Sequence, residues 1–355
     1  MKKIILFSLL IFLLVPNISA STTTAHSYIL MDNKTGRVIE GKNINNEMLI
    51  ASITKIMTSV IAIESGKLDE EITVDDTILK SYGSGVYIEI GEKIKLRDLL
   101  YGLMLRSGND AALMIAKFVS GSVLEFVNEM NNKAYEIGMT RTNFVNPSGL
   151  DNEDGGNYST AYDMAILTRY AMKNAEYRKI VSTKSYKVTT NNKTYVWKNK
   201  NKLLNYDYIT GGKTGFTEKA RRTLVSTASR NNINLIVVTL NDSDDWNTHK
   251  SLYKKAFSDY KNYKFLDKDN FSLPKNKFYD GKFYIKNDVV LPVRQSELTS
   301  LSGKVKLEKR DKYKSGDKVG IYEIYLNKDI IWKEDIYINN STRKKTFFLS
   351  KMSDF

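Results

Sequence analysis

Ser52 and Lys55, in the run Ala51-Ser52-Ile53-Thr54-Lys55, have the types and spacing to do covalent chemistry together. Three residues apart at a helix start, their side chains project from one face. A serine hydroxyl becomes a competent nucleophile only when a base takes its proton. The chain has two histidines, His26 and His249, neither near Ser52 in sequence, so the Lys55 amine must be that base. An amine can take a proton at neutral pH only if burial or a neighbouring cation lowers its pKa. The helix N-terminus adds backbone N–H groups able to face a developing oxyanion. Alone, this spacing recurs on many surface helices. Here two further segments accompany it. Ser107-Gly108-Asn109 falls between two helical patterns, where a loop can present a hydroxyl and an amide. Gly211-Gly212-Lys213-Thr214-Gly215 precedes a β-rich run. Its glycines let a substrate backbone approach, and Lys213 can supply the second cation.

These segments need elements to position them. Residues 27–40 read as a hairpin around the turn composition Asp32-Asn33-Lys34-Thr35-Gly36. A helix is predicted from about 52 to 64, stopped by Gly66. Helical periodicity recurs over 96–105, 109–119 and 123–137, with Gly121 and Gly138 as stops for the last two. Ser159 and Thr160 can cap a helix through Lys173. Residues 223–229 and 233–240 read as a second hairpin around Arg230-Asn231-Asn232, and 246–260 as a last helix. Helices enclosed by strands at both ends predict an α+β fold, with first and last strands paired in one antiparallel sheet and helices flanking it. Near residue 262 the helical periodicity gives way to short alternating runs at 282–285, 289–293, 304–309, 319–326 and 330–338. They predict a small all-β domain over 261–340, after a catalytic domain over 21–260.

Composition narrows the function further. The absence of cysteine excludes a thiol nucleophile, a disulfide framework, a Cys-ligated zinc and an iron–sulfur cluster. Two histidines are too few for a multi-histidine metal centre, and neither metal nor cofactor is expected. Lys2 and Lys3, the apolar run 4–15, Pro16 and Ser19-Ala20 compose a secretory signal over residues 1–20. The mature chain is then expected outside the cytoplasmic membrane, where anionic wall polymers and membrane surfaces attract its net charge of +14. Residues 261–355 hold 21 Lys+Arg and 13 Asp+Glu, so +8 of that charge lies there. No nucleic-acid motif is visible. In the basic tail, 341–355, Phe348, Met352 and Phe355 fall at i, i+4, i+7, the pattern of a short interfacial helix that would touch the membrane peripherally.

Some tempting residues have plainer readings. Asp242, Asp244 and Asp245 cluster as in a calcium loop but lack its Gly and terminal Glu, so a solvated turn is expected. Residues 151–156 read as a surface loop, His249 as an exposed helix residue and His26 as part of a flexible terminus. Trp197, Trp246 and Trp332 read as core.

The combination SxxK, SxN and KTG, in that order, is the signature of penicillin-binding proteins and class A β-lactamases. The chain resembles the low-molecular-mass penicillin-binding proteins, the serine D-alanyl-D-alanine carboxypeptidases. The likeness covers about residues 27–258 and extends to 98–112, to Phe144-Val145-Asn146-Pro147-Ser148-Gly149-Leu150-Asp151 and to Lys213-Thr214-Gly215-Phe216-Thr217. It implies a β-lactamase/DD-peptidase-like fold and an acyl-enzyme mechanism on peptidoglycan stem pentapeptides, inhibited by β-lactams. It implies Ser52 as nucleophile, Lys55 as general base and Ser107 as proton relay. It further implies substrate contacts from Asn109, Lys213, Thr214, Gly215, Phe216 and Thr217, with the N–H groups of Ser52 and Phe216 as oxyanion hole. Three positions depart from the family pattern. Ile50 replaces a proline, Arg221 a glycine, and Asp245 an arginine that helps bind the substrate carboxylate. The last departure shifts that contact toward Lys213, Thr214 and Thr217. Alternatives are a β-lactamase of the same fold, for which Glu153 lies in a candidate loop, and a non-catalytic wall- or β-lactam-binding protein.

Overall fold

Apolar residues alternate along the strands at both ends of the helical region, and the alternation serves two cores. In the computed structural model the described residues are 23–339 except 152, 154, 275–278, 280 and 310–312. The expected leader at 1–20 and tail at 341–355 lie outside them. Five antiparallel strands form the main sheet in the order Val38–Lys42, Ser27–Asp32, Ile233–Leu240, Arg221–Arg230, Ile209–Thr217. The first and last hairpins therefore pair as predicted, with Ser27 opposite Leu240 and Asp32 opposite Leu235. Ile29, Met31, Val225, Ile236 and Val238 point into the core beneath the helices. Tyr28, Leu30, Leu224, Leu235 and Val237 point to the opposite core. A sheet covered on both faces reads as nearly continuous apolar runs for this reason.

Helices α1 (Lys55–Glu64), α2 (Leu96–Tyr101), α3 (Asn109–Ser120), α4 (Val123–Glu136), α5 (Ala161–Ala171) and α6 (Ala175–Ser182) occupy one side. Helix α7 (Asp245–Asp259) covers the other, lying on the strands Arg221–Arg230 and Ile233–Leu240. Every residue of α1 from Lys55 to Ile63 is buried, because α3, α4, α5 and α6 all contact it. A helix apolar all round is a core helix, so a lysine at its start is carried into the interior. Local signals set the ends. Thr160 caps α5 by accepting from Asp163 N–H, and Ser122 caps α4 by accepting from Glu125 N–H. Asn231 and Asn232 both take positive φ, which closes the hairpin they were expected to turn.

Four expectations need correction. The segment 211–215, read as preceding a strand, itself lies within the edge strand Ile209–Thr217. The pattern at 96–105 is α2 followed by a π-helical turn, Gly102–Arg106. His249 is fully buried between Ser226 Oγ at 2.6 Å and Thr239 Oγ1 at 3.1 Å, and burial pushes its pKa down to about 3. Asp242 and Asp245 are buried rather than solvated: Asp242 accepts from Thr24 and from Asp244 N–H, and Asp245 holds Arg222.

Beyond α7 the strand Tyr260–Leu266 pairs with Val289–Arg294. A separate four-stranded antiparallel sheet runs in the order Lys282–Tyr284, Asp329–Asn339, Lys318–Leu326, Leu301–Leu307. These strands fall close to the alternating runs read from sequence, and they have apolar clusters of their own. Arg37 pairs with Glu297, and Lys34 Nζ donates to Val290 O at 3.1 Å.

Candidate active site

Helix α1 begins beside the edge strand, and the site forms where they meet. Ala51–Thr54 is a 3₁₀ turn leading into α1, entered through Ala51 at φ 48°. This left-handed residue turns the chain sharply and sets Ser52, partly exposed, at the head of the helix. The edge strand lies close against this turn. A Cβ built at Gly215 would fall 2.4 Å from Thr223 Oγ1 and 3.0 Å from Ser52 N, so the strand could not approach with a larger residue there.

Lys55 Nζ lies 3.1 Å from Ser52 Oγ, 2.7 Å from Asn109 Oδ1 and 2.5 Å from the Ser148 carbonyl oxygen. The lysine is completely buried. Burial lowers its pKa well below the usual lysine value, with the Lys213 charge next and the Lys200 charge after it. Lys213 is also buried, and its Nζ donates to Ser107 Oγ at 3.0 Å and to Thr214 O at 2.7 Å. Burial, then the charge of Lys200, bring its pKa down to about 7. Both amines are thus shifted toward the neutral form, the direction that general acid–base work requires.

Ser107 gains its orientation from backbone that ordinary helix geometry would not supply. The π-helical turn Gly102–Arg106 ends at Ser107 in the left-handed region, φ 64° and ψ 38°. Asn109 then starts α3, with its N–H bound to Ser84 O at 2.8 Å and its Nδ2 donating to Tyr82 O at 2.6 Å. Buried Asp110 accepts from the N–H groups of Val86, Tyr87 and Ala111, tying the 82–87 loop to α3. The Ser148 carbonyl is presented by a loop knotted around Asn146, whose Oδ1 accepts from Ser148 and Gly149 N–H.

A cavity of about 290 Å³ opens on this constellation, lined by Ser52, Ser84, Ser107, Lys200, Thr214, Gly215, Phe216, Arg222, Asp245 and Trp246. The structure therefore brings together Ser52, Lys55, Ser107, Asn109, Lys213, Thr214, Gly215 and Phe216. Thr217 is placed differently: its Oγ1 accepts from Ala220 N–H at 3.0 Å and closes the turn to the next strand. Glu153 is exposed and does not line this cavity. Arg221, in the expected glycine position, holds φ 59° and lies exposed, so the turn keeps its left-handed shape with a side chain. Sequence reasoning did not single out Lys200, Arg222, Ser84 or the Ser148 carbonyl. No motif spacing marks them: Lys200, Ser84 and the Ser148 carbonyl come from loops outside the motifs, and Arg222 is brought in by the strand pairing opposite Phe216. Trp246, expected as core, is part of the cavity wall.

Residues 15–244 match the family model of peptidase S11, D-alanyl-D-alanine carboxypeptidase. D-alanyl-D-alanine carboxypeptidase DacF of Bacillus subtilis is 35% identical over 268 residues, covering 73% of this chain and 68% of the relative. The D-alanyl-D-alanine carboxypeptidase of a Streptomyces species is 36% identical over 232 residues, covering 60% of this chain and 79% of that one. Among solved structures, penicillin binding protein 5 from Haemophilus influenzae superposes with a TM-score of 0.76 at 26% identity, covering 91% of this chain and 99% of that structure. That coverage takes in the strands after α7 as well as the helical region. In sequence and in fold alike, this chain belongs to the D-alanyl-D-alanine carboxypeptidase family.

Proposed function

We infer that the chain is a serine-type D-alanyl-D-alanine carboxypeptidase that trims peptidoglycan stem pentapeptides through a Ser52 acyl-enzyme. The observation that carries this reading is the buried Lys55 amine 3.1 Å from the partly exposed Ser52 hydroxyl. Neutral Lys55 takes the Ser52 proton as Oγ attacks the carbonyl carbon of the penultimate D-alanine. The oxyanion forms against the N–H groups of Ser52 and Phe216, at the helix start and the strand edge. When the tetrahedral species collapses, the peptide C–N bond breaks. The departing nitrogen takes a proton passed through Ser107, which Lys213 holds in place. D-Alanine leaves, and water then attacks the Ser52 ester and frees the shortened peptide. Asn109 fixes the Lys55 amine and aligns the substrate amide, while Thr214, Gly215 and Phe216 line the strand along which the substrate lies.

A β-lactam enters the same pathway, since ring opening leaves its amine tethered and the ester shielded from water. Glu153, the carboxylate a β-lactamase reading would use, stands away from the cavity, which favours the carboxypeptidase. Residues 1–20 act as a secretion signal, 21–260 as the catalytic domain and 261–340 as a β-rich domain that holds the site off the membrane. The tail at 341–355 rests on that surface.

The test is mass spectrometry of a synthetic stem pentapeptide incubated with the protein. Loss of one alanine, blocked by prior penicillin and abolished in Ser52→Ala together with the penicilloyl adduct, is expected. Sustained turnover of a chromogenic β-lactam without release of D-alanine would overturn the assignment.

A further inference from the structure

The strands Ser185–Thr189 and Thr194–Lys198 pair with each other and stand apart from both sheets described above. A lone hairpin is marginally stable in water, so this one is held by what it packs against. Alternation puts Tyr186, Val188, Tyr195 and Trp197 on one face, with Tyr186 opposite Trp197 and Val188 opposite Tyr195. Tyr195 and Trp197 are buried, while Ser185, Lys187, Thr194, Val196 and Lys198 on the other face are exposed. The hairpin is also anchored at its far end. Tyr195 Oη donates to Glu92 Oε2 at 2.7 Å and Thr190 Oγ1 to Glu92 Oε1 at 2.6 Å, and Glu92 is fully buried.

The aromatic face covers the turn that delivers Ser107. The Tyr186 ring stacks on Tyr101, the last residue of α2, with centres 3.7 Å apart and planes parallel. Its hydroxyl donates to Asp98 Oδ1, also in α2, at 2.5 Å. Trp197 abuts Gly102, the first residue of the π-helical turn: a Cβ there would fall 3.2 Å from Trp197 Cη2. Just after the hairpin, Lys200 N–H donates to Leu105 O at 3.1 Å. The turn is thus gripped at its start by a ring and near its end by a backbone bond. A π-helical turn and a left-handed serine are both locally unfavourable, and they persist only where the surroundings over-determine them. The bond from Lys213 to Ser107 Oγ fixes that hydroxyl only once the backbone has brought it within reach.

We propose that Trp197, acting through Gly102, is a positioning residue for Ser107: the hairpin clamps the π-helical turn so that the Ser107 hydroxyl stands where the departing nitrogen takes its proton. This rests on the carboxypeptidase reading above. Trp197 does not line the cavity beside Ser52 and touches neither substrate nor the reacting atoms. Ser52 and Lys55 are held by α1 and by the Ser148 carbonyl, so loosening the clamp impairs proton delivery and leaves nucleophile and base in place.

The experiment separates proton delivery from the rest of acylation through the leaving group. An amide nitrogen must be protonated to depart, whereas a thiolate departs without a proton. The stem pentapeptide is therefore compared with the same peptide ending in D-thiolactate, whose scissile bond is a thioester. The chain has no cysteine, so a thiol reagent reads the released thiol alone. Ser107→Ala should lower kcat/KM for the amide by about a hundredfold or more, and for the thioester by less than about threefold. Trp197→Leu should lower the amide value by about tenfold to a hundredfold, the cost of displacing a catalytic group by about 1 Å, and again spare the thioester. Trp197→Phe keeps a ring on the turn and should recover part of the amide rate. Should Trp197→Leu fail to fold, the phenylalanine variant decides. Adding Trp197→Leu to Ser107→Ala should cost nothing further, because the tryptophan acts through that serine. Equal losses for amide and thioester, an undiminished amide rate in every tryptophan variant that folds, or additive losses in the double variant would overturn the proposal. A wild-type protein that releases no D-alanine would instead remove the carboxypeptidase reading, and this inference with it.

Discussion

Replacing Lys213 with methionine should make the protein more stable at neutral pH while destroying its activity. Lys213 is fully buried, and its pKa falls from 10.5 to about 7, chiefly through loss of solvation and next through the charge of Lys200. Above pH 10.5 folded and unfolded chains both hold the amine neutral, and below about 7 both hold the ammonium. Between these limits the unfolded chain keeps a proton that the folded site releases. Stability therefore rises with pH through the window, by about 1.4 kcal/mol per pH unit. Over its full width the charge withholds on the order of 5 kcal/mol from the folded state at neutral pH. Methionine has similar length and no charge to bury. It leaves Ser107 Oγ and the Thr214 carbonyl without the donor they now share, a loss of about 1–3 kcal/mol. The variant should thus be about 2–4 kcal/mol more stable than wild type at pH 7, with the advantage vanishing and reversing toward pH 10. Urea unfolding at several pH values between 7 and 10, read by tryptophan fluorescence, measures the difference. A variant less stable than wild type at pH 7, or a difference that does not vary with pH, would refute the reasoning. An active site that stores destabilisation in this way exchanges stability for a poised amine.

Two further perturbations test the frame around the nucleophile. Lys200→Gln removes a positive charge that lowers the pKa of both Lys55 and Lys213, so both should rise. Lys55 must be neutral to take a proton, so the acid limb of the penicillin acylation profile should move to higher pH by about half a unit to one unit. An unmoved limb would mean that Lys55 does not govern it. Gly149→Ala places a Cβ 1.9 Å from the Ala51 carbonyl oxygen at a residue with φ +80°. This should cost about 3 kcal/mol or more of stability and displace Ser52. Thermal unfolding together with fluorescent penicillin labelling reports both effects, and unchanged values for both would show that the 146–150 loop does not brace the nucleophile.

The chemistry was legible in the sequence because it is written in short local patterns. Ser52 and Lys55 need only a helix start to share a face. The caps at Ser122 and Thr160, the left-handed glycines and the Asn231-Asn232 turn each act within a few residues. The alternating runs after residue 262 likewise fixed most strands there, since period-two burial is a property of the segment itself. Other features were hidden from such reading. The glycine-rich segment 211–215 was given no strand of its own because glycine is a poor strand former, yet pairing with Arg221–Arg230 makes it an edge strand.

What the sequence by itself determined is the pairing of Ser52 with Lys55 at a helix start, the order of the three motifs and most of the helices and strands that carry them. What only the tertiary structure decided is the set of contacts that lower the pKa of the Lys55 amine. The Ser148 carbonyl, the Lys200 charge and complete burial act on the Lys55 amine from segments remote along the chain. Arg222 and Asp245 meet across a strand and a helix start, and His249, polar by type, is enclosed by Ser226 and Thr239. The physical reason is one of range. Backbone propensity and side-chain periodicity act over a turn or a strand, whereas desolvation and Coulomb interaction depend on distances in space that only packing establishes.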